Sequence, residues 1–142
     1  MKKVMVGGVF NLIHPGHIHF LREAKRHGDY LVVVLASDET AAGKLLFPAS
    51  VRKRMVESIS FVDKVVVGSP GDRTAVIRKE NPDVIVLGYD QEMKELSGLP
   101  VPVVRASKLE GFSTRDIIKK IKGRKKHYNS SSSSGHCSSS SP

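Results

Sequence analysis

The residues best suited to chemistry lie in one short stretch, Gly7 to His17, which reads GGVFNLIHPGH. Its two histidines, His14 and His17, are three residues apart, a spacing that brings side chains to one side of a helix. Two imidazoles in that arrangement can donate hydrogen bonds to the oxygens of a phosphate chain and stabilise charge that develops there. The stretch therefore predicts a phosphate-binding loop with two candidate catalytic residues.

The rest of this loop suits the close approach of an anion. The two leading glycines allow a tight turn, and Pro15 directs the chain into a helix whose free N–H groups attract negative charge. Neither the dinucleotide fingerprint G-x-G-x-x-G nor a phosphate loop ending in Gly-Lys-Ser/Thr is present. We therefore expect a nucleotide site of another type, lined by Gly8, Val9, Phe10 and Gly16.

Two simpler interpretations of the histidines stay open. Either ring could be an ordinary polar residue at a helix end. The pair could also bind zinc, but a zinc site needs further ligands at suitable spacing. His19 and His27 are close in sequence, yet His19 lies two residues from His17 and on another side of the helix. Phosphate binding explains the glycines, the proline and the histidines together, so we favour it and predict no metal-ligating residues.

Apolar, β-branched runs alternate with amphipathic stretches along the chain. The predicted strands are Val4–Val9, Tyr30–Ala36, Lys64–Val67, Val84–Leu87 and Val101–Val104. The predicted helices are His17–Arg26, Val51–Ser58, Arg73–Glu80 and Thr114–Ile121, with Ile18, Leu21, Ala24, Met55 and Ile59 facing inward. This alternation predicts an α/β fold, a single Rossmann-like, doubly wound domain with a mainly parallel five-stranded sheet. Ligands bind at the carboxyl ends of such strands, where the Gly7–His17 loop falls.

Composition and charge disfavour two other classes of protein. Hydrophobic residues make up 39% of the chain, which suits a globular core, and no apolar run reaches the roughly 18 residues of a membrane span. The net charge is +9, but six lysines and arginines follow Asp116 with no further acid. A nucleic-acid binder that uses Lys119 to Lys126 therefore stays a less favoured alternative.

The end of the chain differs from the rest. From Asn129 onward nearly every residue is serine, which cannot bury apolar surface. We expect a folded domain over residues 1–123 and a basic, then serine-rich, disordered tail over 124–142. The only cysteine, Cys137, lies in that tail, which excludes an intrachain disulfide and fits a cytoplasmic protein.

The His14-Pro15-Gly16-His17 segment resembles the H-x-G-H signature of the cytidylyltransferase-like nucleotidyltransferases. The resemblance extends from Lys3 to Lys122 and is strongest to the archaeal FAD synthases and the glycerol-3-phosphate cytidylyltransferases. It implies that Lys44 is a mobile catalytic lysine and that Arg52 helps it neutralise the leaving pyrophosphate. It further implies a set of nucleotide contacts at Gly88, Asp90, Ser113 and Thr114.

The resemblance also implies an activity: transfer of a nucleoside monophosphate from ATP or CTP to a phosphate-bearing acceptor, with Mg²⁺ and release of pyrophosphate. Asp38-Glu39-Thr40 and the Gly88–Gln91 turn favour FMN as acceptor and FAD as product, whereas Glu110–Thr114 favours a cytidylyltransferase of glycerol phosphate. Asn11 replaces the family's usual Asp, which leaves a non-catalytic nucleotide-binding regulator as a third possibility. A homodimer is the implied oligomeric state.

Overall fold

The computed structural model describes residues 1–41, 46–71, 73–89, 91, 98–109 and 112–130, without the side chains of Arg73, Thr114 and residues 124–130. Within these residues the strands are β1 (Lys3–Gly8), β2 (Tyr30–Leu35), β3 (Lys64–Val67), β4 (Val84–Leu87) and β5 (Val103–Arg105). The helices are α1 (Pro15–Lys25), α2 (Ala49–Glu57), α3 (Arg73–Glu80) and α4 (Thr114–Ser130).

The strands form one five-stranded sheet in the order β3-β2-β1-β4-β5, and every pairing is parallel. β1 pairs with β2 along its whole length, from Lys3 opposite Tyr30 to Gly8 opposite Leu35. The chain builds the sheet outward from β1 in one direction and then returns to its other side at β4. The topological switch point therefore lies between β1 and β4, and the predicted α/β fold is confirmed.

Helices cover both faces of the sheet, because its strands are apolar on both sides. On one face, Leu21 and Ala24 of α1 and Val56 of α2 pack against buried valines and leucines of the strands. On the other face, Ile77 of α3 packs in a smaller cluster with Met5 and other strand residues. The β1–α1 loop leaves the sheet at its carboxyl edge, between these two layers.

Several element boundaries differ from the sequence prediction, and those of β5 and α2 bear most on the packing. β5 begins at Val103 rather than at Val101, because Pro102 has no N–H to contribute to the ladder. α2 begins at Ala49, two residues before the predicted start, and its fully buried residues are Arg52 and Val56. The expected inward residues, Met55 and Ile59, are only half-buried.

The chain divides into two compact units, Met1–Leu109 and Glu110–Pro142. The sequence had suggested a boundary at residue 123, with a disordered tail beyond it. α4 continues to Ser130, past the predicted end of the folded domain, and lysine and arginine are good helix formers; the boundary at residue 123 and the disordered tail stay predictions. Residues 131–142 lie outside the described part of the chain. Within the described part, no helix is both long enough and apolar enough to cross a membrane.

Candidate nucleotide site

The two histidines predicted from the sequence form the start of α1. His14 is the N-cap, with extended backbone (φ −140°, ψ 173°), and Pro15 occupies the first turn. The Nδ1 atom of His14 accepts a hydrogen bond of 3.1 Å from the Gly16 N–H. An imidazole therefore fills the capping place that Ser, Thr, Asp or Asn usually takes.

His17 completes a reciprocal cap. Its Nδ1 atom accepts a hydrogen bond of 3.3 Å from the His14 N–H, and the two ring centroids are 3.9 Å apart with a 34° angle between the planes. A neutral imidazole that accepts at Nδ1 carries its proton at Nε2. The cap therefore sets the tautomer of both rings and makes each Nε2 an N–H donor.

Burial keeps both rings neutral. It lowers the pKa of His14 below its usual value. In His17, burial first and the neighbouring His14 second lower the pKa to about 4, against a smaller opposing effect of the Leu12 carbonyl. Near neutral pH the loop therefore presents two uncharged N–H donors rather than two cations.

The lowered pKa of His17 predicts an acid-sensitive fold. Between the unfolded-state pKa of 6.5 and about 4, the unfolded chain binds the proton and the folded chain does not, so stability falls as pH falls. From pH 7 to 5 this contributes a loss of about 2 kcal/mol. His17→Gln, which can still accept from the His14 N–H, should remove that contribution in urea unfolding at the two pH values. An unchanged pH dependence in this variant would contradict the assignment.

Phe10 has a different role from the one expected. Its side chain is 3% exposed, its backbone has a φ of 50°, and its ring centroid lies 5.0 Å from that of His17. A Cβ on Gly8 would approach the Phe10 ring to 2.8 Å, so the glycine leaves room for the ring. The expectation of a nucleotide contact is therefore corrected for the side chain, because the buried ring of Phe10 packs against His17.

Arg52 is also placed differently from its sequence prediction. Its side chain is fully buried and donates to the Val9 carbonyl at 2.8 Å, to the Phe47 carbonyl at 3.0 Å and to Asp38 Oδ1 at 2.9 Å. A buried guanidinium needs such partners. It therefore joins α2 to the β1–α1 loop and to the end of β2, and it is not a cation exposed to a leaving pyrophosphate.

A second link joins the same segments. The Asn11 side-chain oxygen accepts a hydrogen bond of 2.6 Å from the Leu46 N–H, and Asp38 Oδ1 also accepts from the Ala49 N–H at 2.8 Å. The segment before α2 is thus bound to the histidine loop. Lys44, which precedes this segment, and Asp90 lie outside the described residues.

Two residues that had no predicted role hold the turn after β4: Gln91 within the turn and Arg105 at the end of β5. Gln91 accepts from the Gly88 N–H at 2.7 Å and donates to the Gly7 carbonyl at 2.9 Å. Arg105 Nη1 donates to the carbonyls of Gly88, Tyr89 and Gln91. The signal for Gln91 was its place in the Gly88–Gln91 motif, whereas Arg105 had none beyond its position directly after the predicted last strand, Val101–Val104.

In the second unit, Ser113 caps α4. Its Oγ atom accepts from the Asp116 N–H at 3.1 Å, and Asp116 Oδ2 accepts from the Ser113 N–H at 3.3 Å. The helix start thus has a capping box of its own. The side chain of Thr114 lies outside the description.

A mostly apolar cleft of about 360 Å³ opens beside the histidine loop. Residues 7–9 line it and also form the beginning of the loop. Its other lining residues come from the strands, from the loops that follow them and from α3. They include Met5, Val34, Leu35, Val76, Ile77 and Ile85, with Ser37, Thr40, Ser69 and Gln91 as polar members. One end of the cleft therefore adjoins the proposed phosphate site. Among the described residues, no three His, Cys, Asp or Glu side chains are grouped to hold a metal ion.

A parallel sheet whose first strand leads through His-Pro-Gly-His into a capped helix defines a nucleotidyltransferase of the H-x-G-H class. Residues 5–134 match the cytidylyltransferase-like family, and the chain belongs to that family. It is 40% identical over 132 residues to an FAD synthase of Picrophilus torridus, covering 84% of this chain and 95% of the relative. It is 43% identical over 140 residues to an FAD synthase of Aciduliprofundum boonei, covering 87% of this chain and 93% of the relative.

A solved structure agrees with the fold. The crystal structure of the lipopolysaccharide core biosynthesis protein from Thermoplasma volcanium superposes with a TM-score of 0.73 at 40% sequence identity, covering 78% of this chain and 99% of that one. Together with the family match, these similarities identify this chain as a nucleotidyltransferase.

Proposed function

We propose that this chain transfers AMP from ATP to the phosphate of FMN, forming FAD and pyrophosphate. The observation that carries the proposal is the apolar cleft adjoining the histidine loop. Relatives named FAD synthase, 40–43% identical over most of the chain, favour the same acceptor. The cleft is the feature that separates this acceptor from the alternatives.

An apolar cleft suits a flavin and not glycerol phosphate. The isoalloxazine ring of FMN is flat and largely apolar, so its burial is favourable at about 25 cal/mol per Å² of apolar surface. Glycerol phosphate has almost no apolar surface to bury and would leave these valines and isoleucines in contact with water. The geometry therefore favours a flavin ring in the cleft with its phosphate toward the histidine loop.

The reaction needs no covalent intermediate on the protein. An oxygen of the FMN phosphate attacks the α-phosphorus of ATP, a new P–O bond forms, and the bond to the oxygen bridging to the β-phosphate breaks. Pyrophosphate leaves with the electron pair. His14 and His17 donate from Nε2 to oxygens whose negative charge grows in the transition state, and the N-terminus of α1 adds its dipole. Catalysis is then positioning plus electrostatic stabilisation.

Other predicted site residues keep the roles that the resemblance implied. Lys44 would neutralise the leaving pyrophosphate, and Asp90 would accept from the base or ribose. The nucleotide contacts of Ser113 and Thr114 stay predictions. Val9 and Gly16 would offer backbone contacts. Arg52 no longer belongs with these ligand contacts, because its three nitrogens bond to protein oxygens.

Mg²⁺ is expected as part of the nucleotide substrate. It prefers oxygen ligands in octahedral geometry, whereas the described part of the loop offers imidazoles and backbone groups. Substrate phosphates and water would therefore supply its ligands, and the ion would neutralise phosphate charge. The cytoplasmic location and the homodimer expected from the sequence stay predictions.

The activity is tested with two nucleotides and two acceptors. The protein is incubated with ATP or CTP, and with FMN or glycerol 3-phosphate, and pyrophosphate release is measured alongside FAD formation by chromatography. We expect release with ATP and FMN only, in equal amounts with FAD. Release with CTP and glycerol phosphate would overturn the acceptor, and nucleotide binding without release for any acceptor would overturn the enzyme assignment.

A variant of α3 tests the cleft. Val76 lines it and is half-buried, so Val76→Thr places a hydroxyl against the flavin at nearly unchanged volume. Because a hydroxyl buried without a partner costs about 1–2 kcal/mol, we expect the KM for FMN to rise roughly 5–30-fold while the KM for ATP changes little. The matched control is Val51→Thr on α2, outside the cleft. An unchanged KM for FMN would place the flavin elsewhere.

A further inference from the structure

The two strands that flank the topological switch point separate before they end. β1 and β4 pair at two positions, Val4 opposite Val84 and Met5 opposite Ile85. Gly7 and Gly88 lie beyond that pairing, one at the start of the histidine loop and the other at the start of the β4 turn. The gap between them is the crevice in which ligands bind in such sheets.

The side-chain amide of Gln91 spans this gap. It donates from Nε2 to the Gly7 carbonyl at 2.9 Å and accepts at Oε1 from the Gly88 N–H at 2.7 Å. One amide thus replaces the pair of ladder hydrogen bonds that the separated strands no longer make. It also satisfies two backbone groups that would otherwise lack a partner at the edge of the cleft.

The position of Gln91 is itself closely determined. Its backbone N–H donates to the Gly88 carbonyl at 3.1 Å, and its carbonyl accepts from Arg105 Nη1 at 2.6 Å. A Cβ on Gly88 would lie 3.2 Å from the Gln91 Oε1 atom, so the absence of a side chain there leaves room for the bridge. Arg105 also donates to Gly88 and Tyr89, which holds the whole turn around the amide.

We propose that Gln91 is a positioning residue, which sets the distance between the histidine loop and the β4 turn and thereby places the α-phosphorus of ATP for attack. This inference rests on the proposed function, because the histidine loop is assigned to the triphosphate and the β4 turn to the base or ribose of the same ATP. The bridge requires both halves of the amide. A carboxylate cannot donate to the Gly7 carbonyl, and a thioether supplies no N–H donor and only a weak acceptor.

Two variants of similar size separate the two hydrogen bonds. Gln91→Met removes both, whereas Gln91→Glu keeps the acceptor for the Gly88 N–H and loses the donor to Gly7. The control is Lys79→Met, on an exposed position of α3. For each full-length protein, kcat and both KM values are measured with ATP and FMN, the Tm is recorded, and exchange of the Gly88 amide proton is followed by NMR without substrates.

We expect kcat to fall about 10-fold or more in both variants, because small misplacements of reacting groups are costly, with each KM within about threefold of wild type. The Gly88 amide should exchange faster in Gln91→Met and stay protected in Gln91→Glu. A wild-type kcat in Gln91→Glu would overturn the bridge, and so would a change confined to KM or to Tm. Inactivity of the wild-type protein with ATP and FMN would refute the proposed function. The hydrogen bonds of Gln91 would still be tested in that case, because amide exchange is measured without turnover.

Discussion

His17→Ala should lower kcat by about 10²–10³-fold while the protein stays folded. Removing one preorganised donor to a developing phosphoryl charge typically costs roughly 3–4 kcal/mol in the transition state. His17 has the burial, the neutral charge state and the Nε2 proton that such a donor needs. The loss should be in kcat more than in KM, because the donor acts most strongly on charge that appears only during the reaction.

This result is measured as steady-state pyrophosphate release with ATP and FMN, with circular dichroism to establish that the variant is folded. His27→Ala, near the end of α1 and outside the loop, is the matched control and should keep wild-type kcat. An activity of His17→Ala within a few-fold of wild type would remove this residue from the catalytic machinery. The paired imidazoles would then have only a capping role.

Arg52→Leu should destabilise the fold by about 2–4 kcal/mol, because two backbone carbonyls lose their buried hydrogen-bond donor at about 1–3 kcal/mol each. Leucine fills part of the space but leaves the carbonyls of Val9 and Phe47 without a partner. Loss of the ion pair costs Asp38 less, because its side chain is 52% exposed and water can solvate the carboxylate. Since Val9 lies in the loop that leads to the histidines, activity should fall as well.

Urea unfolding at pH 7 measures this change. Arg54→Leu, on the exposed side of the same helix, serves as the control and should change stability by about 0.5 kcal/mol or less. Equal stability of Arg52→Leu and wild type would refute the buried structural role. The role implied by the resemblance, neutralising the leaving pyrophosphate, would then again be the better assignment for Arg52.

Residue patterns along the chain were sufficient to predict the architecture. Runs of valine, isoleucine and leucine that alternate with amphipathic stretches require strands buried on both faces and helices that cover them. The start of α1 was equally predictable from the sequence, because Pro15, Gly16 and the spacing of the histidines act within one helical turn. The cap of α4 at Ser113 is just as local, because it uses only residues up to three positions away.

The direction of individual side chains depended on tertiary structure. Arg52 faces the core because α2 begins at Ala49, and its three partners are 5, 14 and 43 residues away. Phe10 is buried because its backbone turns through a positive φ beside a glycine. Neither feature has a local signal, since an exposed arginine and an exposed phenylalanine give the same sequence pattern.

Gln91 shows the difference most clearly. The sequence placed it in a turn after a strand, and that placement is correct. Its function depends on Gly7, 84 residues earlier, which the strand order brings opposite the turn. The sequence by itself thus determined the elements and the histidine loop, because local periodicity and caps depend on near neighbours. Only the folded chain decided which cations and amides hold the loops, because those choices depend on partners far apart in sequence.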